Sequence, residues 1–360
     1  MGCTNYPGTN KQTNQIVTEN TKKNEVVQAV PSNIKPISQA IVQKTVQRDI
    51  KPNYGYLGEL IDFSIPFKEI NETTSNILFL KDQKVIFGDG KGIIHVYYDL
   101  NFENSYDIKE FTKYIQCIIE LSDGNIVAGS NDCMAKVLKI GKETYEIIKE
   151  IKYPDQVWSI SELGQTGDFV LGNVNGVFQR LHKLNSDYVF QRKVQLKKSA
   201  VLNILGLSDS TAMIVYMSSG AYFFDFNSLK AIGYVPHQHF NPFKGSIQKI
   251  NDHELLIGTE TSIILIDYKN FQKIKEFNND TTYVIYQLSE EYLLASYGEG
   301  FLQAYKMSRD INGQLELKFE SRNKVIGGNI TGITICPDGK LIIFNMTGSI
   351  KIWNSKNLSK

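Results

Sequence analysis

Ile330-Thr331-Gly332-Ile333-Thr334-Ile335, Cys336-Pro337-Asp338-Gly339-Lys340, Leu341-Ile342-Ile343 and Gly348-Ser349-Ile350-Lys351-Ile352-Trp353-Asn354 together decide the fold of this chain. In order they read as an apolar strand, a polar turn, a second apolar run, a turn on glycine and a third strand. Pro, Asp and Gly supply the dihedrals and local bonds that close hairpins, and short apolar runs between turns read as buried strands. The same cassette recurs upstream. The small residue leading into the third strand is Gly92, Cys133, Gly176, Gly220, Ser262, Gly300 and Gly348, at intervals of 38 to 48 residues. The polar turn is clear at Leu121-Ser122-Asp123-Gly124-Asn125, Leu207-Ser208-Asp209-Ser210 and Leu288-Ser289-Glu290-Glu291. It is looser at Lys81-Asp82-Gln83, Gly164-Gln165-Thr166-Gly167 and Asn251-Asp252-His253. A period in the low forties with about four strands per repeat marks a β-propeller, here with seven blades.

The strand before each polar turn should line the central axis. Ile115-Gln116-Cys117-Ile118, Val157-Trp158-Ser159-Ile160, Val201-Leu202-Asn203-Ile204 and Ile330-Thr331-Gly332-Ile333 share a small or modest third residue, as expected where strands converge. The ends give an independent argument. Six residues follow Asn354, too few for another strand, whereas Leu60-Ile61-Asp62-Phe63-Ser64-Ile65 alternates with no repeat of its own. Pairing the two would complete the last blade, remove two exposed edges and close the ring.

The arrangement resembles the WD-repeat β-propeller family over residues from about 60 to 354. The last repeat is the nearest match, with Trp353-Asn354 where the family has Trp-Asp. Phe224-Asp225 and Ile266-Asp267 keep the Asp without the Trp, and Tyr97, Leu138, Leu181 and Tyr305 take the Trp position elsewhere. The family's Gly-His pair is absent from every repeat. The resemblance implies an interaction surface, with partners on the face formed by the turns at Gly92, Gly176 and Gly300.

Composition fits an ordinary soluble protein, at 42% hydrophobic and 21% charged residues. The net charge of +1 gives no global field for nucleic acid. Residues 1–54 form a separate unit ahead of the propeller at 55–360. They carry seven cations against three carboxylates, a net +4, and Tyr6 is their only aromatic before Tyr54. Such a segment buries too little apolar surface to offset its ordering entropy and reads as a flexible tail. Within it, Ile37, Ala40, Ile41 and Val46 would line one side of a short helix after Pro36. Cys3, Cys117, Cys133 and Cys336 lack metal-ligand spacing. With no visible signal peptide or membrane-spanning run, they read as thiols of a reducing, cytoplasmic compartment.

Met1-Gly2-Cys3 permits myristoylation of Gly2 and palmitoylation of Cys3. One acyl chain binds membrane only marginally, and a second chain or a basic segment makes attachment lasting. Both are available here, in Cys3 and the basic tail. Tyr6 stands where the motif prefers Ser or Thr, and a chance Gly-Cys start is the alternative. The long connection Pro236-His237-Gln238-His239-Phe240-Asn241-Pro242-Phe243-Lys244-Gly245 offers His237, His239, Phe240 and Phe243 as stiffened partner contacts, or else folds back onto the blade. Trp158 is placed at the channel mouth, in a ring with Gln116, Asn203, Gln248 and Tyr286. His-x-His lacks further ligands nearby, so no metal or other cofactor is expected.

No sialidase-type turn, quinone-docking tryptophan set, phosphate-cradling loop or nucleophile–base constellation can be picked out. The expectation is therefore a non-catalytic protein-interaction scaffold, cytoplasmic and tethered to membrane if acylated. The alternative is a propeller enzyme or small-ligand binder using the central channel.

Overall fold

The computed structural model describes residues 62–63, 74–98, 103–185, 187–237, 240, 246–278, 280–336 and 341–353. Its strands fall into seven antiparallel sheets arranged as a propeller. The first strand, β1 (Asp62–Phe63), stands apart from its sequence neighbours. Blade 1 is β2 (Thr74–Phe79), β3 (Val85–Asp89), β4 (Ile94–Tyr97) and β5 (Ser105–Ile108). Blade 2 is β6 (Ile115–Glu120), β7 (Ile126–Ser130), β8 (Met134–Ile140) and β9 (Tyr145–Lys152). Blade 3 is β10 (Val157–Glu162), β11 (Phe169–Asn173), β12 (Val177–Leu184), β13 (Asp187–Phe190) and β14 (Val194–Gln195), the last two sharing its outer edge. Blade 4 is β15 (Val201–Gly206), β16 (Thr211–Tyr216), β17 (Gly220–Asp225) and β18 (Lys230–Val235). Blade 5 is β19 (Ile247–Lys249), β20 (Glu254–Gly258), β21 (Ser262–Asp267) and β22 (Gln272–Asn278). Blade 6 is β23 (Thr282–Gln287), β24 (Tyr292–Tyr297), β25 (Phe301–Arg309) and β26 (Leu315–Lys324). Blade 7 is β27 (Ile330–Ile335), β28 (Leu341–Asn345) and β29 (Ile350–Trp353), completed by β1.

That completion bears out the reading of the ends. Asp62 pairs with Trp353 and Phe63 with Ile352, and β2 lies beside β27 where the ring joins. The first strand of the domain thus seals its last blade, removing an exposed edge that would otherwise template aggregation.

Seven buried apolar clusters hold the ring together, one in each gap between neighbouring blades. This explains why the second-strand runs are continuously apolar. Side chains alternate across a strand, and here both faces meet another blade. Ile126 and Ala128 enter the core shared with blade 1, while Val127 enters the core shared with blade 3. Leu255 and Ile257 face blade 4, and Leu256 between them faces blade 6.

Close approach near the axis sets the small residues. A Cβ on Gly172 would lie 2.5 Å from Ser159 Oγ and 2.6 Å from Val201 Cγ1 of the next blade. Gly129 is crowded in the same way by Val157 and Cys117. Cys117 and Cys336 are buried, whereas Cys133 is disulfide-bonded and not the thiol that the sequence reading expected.

Candidate interaction face

Each second strand ends on the upper face, which carries the turns between second and third strands and the blade-to-blade linkers. The residues at this end are Asp89, Ser130, Asn173, Tyr216, Tyr297 and Asn345, with Thr259 directly after β20, and all are buried. In five blades a side-chain oxygen of this residue closes its own turn. Asn173 Oδ1 accepts the Asn175 and Val177 N–H groups at 3.1 and 2.8 Å; Asn345 Oδ1 accepts those of Thr347 and Ser349 at 3.1 and 2.7 Å. Asp89, Ser130 and Thr259 act likewise. Two blades carry tyrosine instead. Tyr216 Oη donates to the Gly176 carbonyl of the preceding blade at 3.1 Å, and the Tyr297 and Tyr305 hydroxyls lie 2.8 Å apart. Burial pushes both Tyr216 and Tyr297 well above the usual phenol range, so each keeps its proton to donate.

The turns are also locked to the linkers. Gly176 has φ 87°, and a Cβ there would meet the Lys197 and Ser199 carbonyls at 2.1 and 2.6 Å. Glycine is required on both counts, since a side chain is strained in that conformation and has no room. Asp89 carries a further load: His95 Nε2 lies 3.1 Å from its Oδ2, and His95 Nδ1 lies 2.9 Å from Asp107 Oδ1. Burial raises the Asp89 carboxyl, but bonds from His95 and the Ile93 and Lys91 amides outweigh it, holding the group below the ordinary aspartate range.

On this pinned face the sector of blades 3 and 4 presents apolar and aromatic surface. Met217, in the turn after Tyr216, is 41% exposed, and Tyr234 on the outer strand is 40% exposed. Tyr234 packs against Tyr222 with ring centroids 4.5 Å apart, and Lys197 Nζ sits 5.7 Å from the Tyr222 ring. Lys197 and Lys198 are exposed, and Trp158 and Val174 are half-buried. Trp158 Nε1 donates to Gln156 Oε1 at 3.3 Å, which fixes the indole against the core shared by blades 4 and 5.

The residues expected from sequence are distributed differently. Phe240 is 2% exposed. It bridges the Thr259 backbone and packs with Leu202, Val215, Val235 and Ile257, so it plugs the gap between blades 4 and 5 rather than facing a partner. An aromatic ring is the piece that fills that gap. His237 lies beside it, its ring centroid 4.8 Å away and tilted by 52°. His239 and Phe243, like Gly2, Cys3 and the rest of the tail, lie outside the described residues.

The ring of Gln116, Trp158, Asn203, Gln248 and Tyr286 is not a ring. Six innermost strands shift register near their start, and Gln116 and Trp158 are the extra residues there. Asn203 is beyond the shift, opposite Val215, and buried, its Nδ2 3.4 Å from Ser246 Oγ of the next blade. Gln248 and Tyr286 pair two rungs deeper, opposite Leu256 and Leu294. Gln248 bonds the Gln287 amide rather than standing free.

Met217 and Tyr234 are the residues sequence reasoning missed. The available signal was an apolar residue directly after the turn-closing position, as at Val174, Met217 and Met346, where blades 2 and 5 have Asn131 and Glu260; of the three, only Met217 is exposed. Among the described residues no group of three or more His, Cys, Asp or Glu could hold a metal ion. No family model and no curated protein matches the sequence.

Proposed function

We propose that this chain is a non-catalytic platform of the WD-repeat type that docks protein partners on the upper face of blades 3 and 4. The observation that carries this is the exposed Met217 and Tyr234, with half-buried Trp158 and two exposed lysines of the linker, beside turns bonded into the ring. Fixed aromatic and methionine side chains lose little entropy on binding, and Trp and Tyr dominate interface hot spots. The lysine pair favours a partner segment bearing carboxylates beside its apolar anchors. Gly2 and Cys3 would carry acyl chains and hold the platform at a membrane from the cytoplasmic side.

The test is quantitative capture from the native cell with the full chain, wild type against Met217→Asp/Tyr234→Ala. Partners should fall at least tenfold while the melting temperature holds. An unchanged partner set removes this face from consideration. Intact mass of the N-terminal peptide from the same cells reads the tether, and a bare peptide removes it.

A further inference from the structure

Strand direction fixes where the N-terminal segment meets the ring. β29 runs from the upper face, at the turn 345–348, to the lower face at Trp353. β1 is antiparallel to it, with Asp62 opposite Trp353 and Phe63 opposite Ile352. The residues before Asp62 therefore arrive on the lower face, at the outer edge of blade 7 and beside blade 6.

On that face blade 6 projects its third and fourth strands, nine and ten residues long. Their turn presents Ile311, which is 100% exposed. The turn is stiff: Asp310 Oδ1 accepts the Asn312 and Gln314 N–H groups, each at 2.8 Å. The hairpin is braced on blade 5 by Arg309 with Glu254 and by Lys275 with Glu316, both at 2.5 Å. Half-buried Leu288 and Ile250 lie at the neighbouring lower turns of blades 6 and 5. The Met307 amide donates to the Glu291 carbonyl at 2.6 Å, placing the exposed Glu290–Glu291 pair one strand inward.

The lower turns between first and second strands of blades 2 to 6 carry Asp123, Asp168, Asp209, Asp252, Glu290 and Glu291, and no Lys or Arg; Asp123 pairs with Lys183, Asp168 with Arg180 and Asp252 with Lys249, which leaves the exposed Glu290–Glu291 pair as the acidic feature of blade 6. Residues 35–51, Lys-Pro-Ile-Ser-Gln-Ala-Ile-Val-Gln-Lys-Thr-Val-Gln-Arg-Asp-Ile-Lys, are complementary. They carry Lys35, Lys44, Arg48 and Lys51 against Asp49 alone, with Val42, Val46 and Ile50 at intervals of four. The ten residues 52–61 join this segment to Asp62. Such a connection reaches about 35 Å when extended, and averages roughly 16–19 Å as a coil, enough to lay the segment across blades 6 and 5.

We propose that residues 35–51 dock on the lower face of their own chain, apolar side against Ile311, Leu288 and Ile250, cations against Glu290 and Glu291. The contact is intramolecular and electrostatically steered. It competes with anionic lipid for the same cations, so a membrane surface would release it.

The test uses the full chain with a photo-crosslinking amino acid in place of Asn312, beside Ile311. Illumination at submicromolar protein should join position 312 to peptides from 35–51 of the same molecule. Yield should fall at least fivefold with Lys44→Glu/Arg48→Glu/Lys51→Glu, with Ile311→Ser, or with vesicles containing phosphatidylserine. Crosslinks to a second copy, to residues 1–34 alone or to nothing overturn the proposal, as does a yield indifferent to the charge reversal. Amide exchange over 306–316 gives a second reading. It should accelerate severalfold when residues 2–51 are deleted, and unchanged exchange would also count against docking. Neither measurement involves the upper face, so failure here leaves the partner-binding reading standing.

Discussion

Gly176 and Gly124 have nearly the same backbone, φ 87° and 85°, and sit in turns on opposite faces of the ring. A Cβ on Gly176 would strike the carbonyls of the following linker, whereas one on Gly124 would meet nothing within 4 Å. The two faces are thus built by different physics. The upper face is joined by main-chain contact and by buried residues that close each turn. The lower face is joined by ionised side chains that reach from blade to blade. Glu162 accepts the Ser122 amide and hydroxyl, the latter at 2.6 Å, and also the Gly167 amide. Glu120 takes the Lys81 amide, Arg309 meets Glu254, and Lys183 meets Asp123. The lower joints between blades should therefore respond to salt more strongly than the upper ones, although Asp89 with His95 gives the upper face a carboxyl of its own that titrates below the ordinary range.

The largest effect is expected at Asp168, at the lower end of the second strand of blade 3. Its buried carboxylate accepts from Arg180 Nε at 2.9 Å, His182 Nδ1 at 2.8 Å and the Lys183 amide at 2.8 Å. Asp168→Ala leaves the nearly buried Arg180 without its counter-charge, at a cost of about 3–5 kcal/mol in urea unfolding. Burial raises this carboxyl, but the bonds from His182, Lys183 and Arg180 prevail and its folded pKa lies below the ordinary value. A depressed carboxyl contributes stability that is present above its unfolded pKa, about 4, and is lost as pH falls through its folded one. Asp168→Asn should flatten the acid limb of the stability curve below about pH 4. An acid limb as steep as that of the wild type would mean that the cluster does not govern this face.

The paired glycines come next. Gly124→Ala should cost about 1–2 kcal/mol, the strain of a left-handed alanine. Gly176→Ala bears the same strain and must also displace the linker, adding about 1–3 kcal/mol. Thermal unfolding of the two variants isolates the joint. Equal losses would show that the linker simply moves aside and that the upper face is no stiffer than the lower.

The blade number was legible because turn chemistry is local: glycine, Asp and Asn mark the hairpins whatever surrounds them. The closing strand was legible for a bookkeeping reason, one strand missing at one end and one spare at the other. The candidate site was read less well. Equating Gln116 with Asn203, Gln248 and Tyr286 failed because a strand's side chains alternate and a one-residue shift moves every later residue to the other side. Phe240 was left between a partner contact and a ring folded back onto the blade, because loop length says nothing of the direction in which a ring folds; the second holds. Met217 was not singled out from sequence, and only its exposure in the sector that also holds Tyr234 and the two lysines gives it weight.

The smallest expected effect tests the contrast most sharply. Lys183 Nζ, on the third strand of blade 3, reaches Asp123 Oδ2 in the lower turn of blade 2 at 2.5 Å, with both side chains about a quarter exposed. Hydrogen bonds with Lys183 and the Asn125 amide outweigh burial and keep Asp123 below the usual aspartate range, and Asp123 holds Lys183 above the usual lysine range. Water still reaches the pair, so its coupling should be about 0.2–1 kcal/mol in a double-mutant cycle of Asp123→Asn and Lys183→Met. Screening shortens to roughly 3 Å at 1 M salt, so most of that coupling should vanish there. The difference between Gly176→Ala and Gly124→Ala should survive the same salt, because steric contact with a carbonyl is not screened. If salt erases both, the upper joint is electrostatic after all. If it erases neither, Lys183 acts through its packed aliphatic stem rather than its charge, and the lower face would be bound by the same contact physics as the upper.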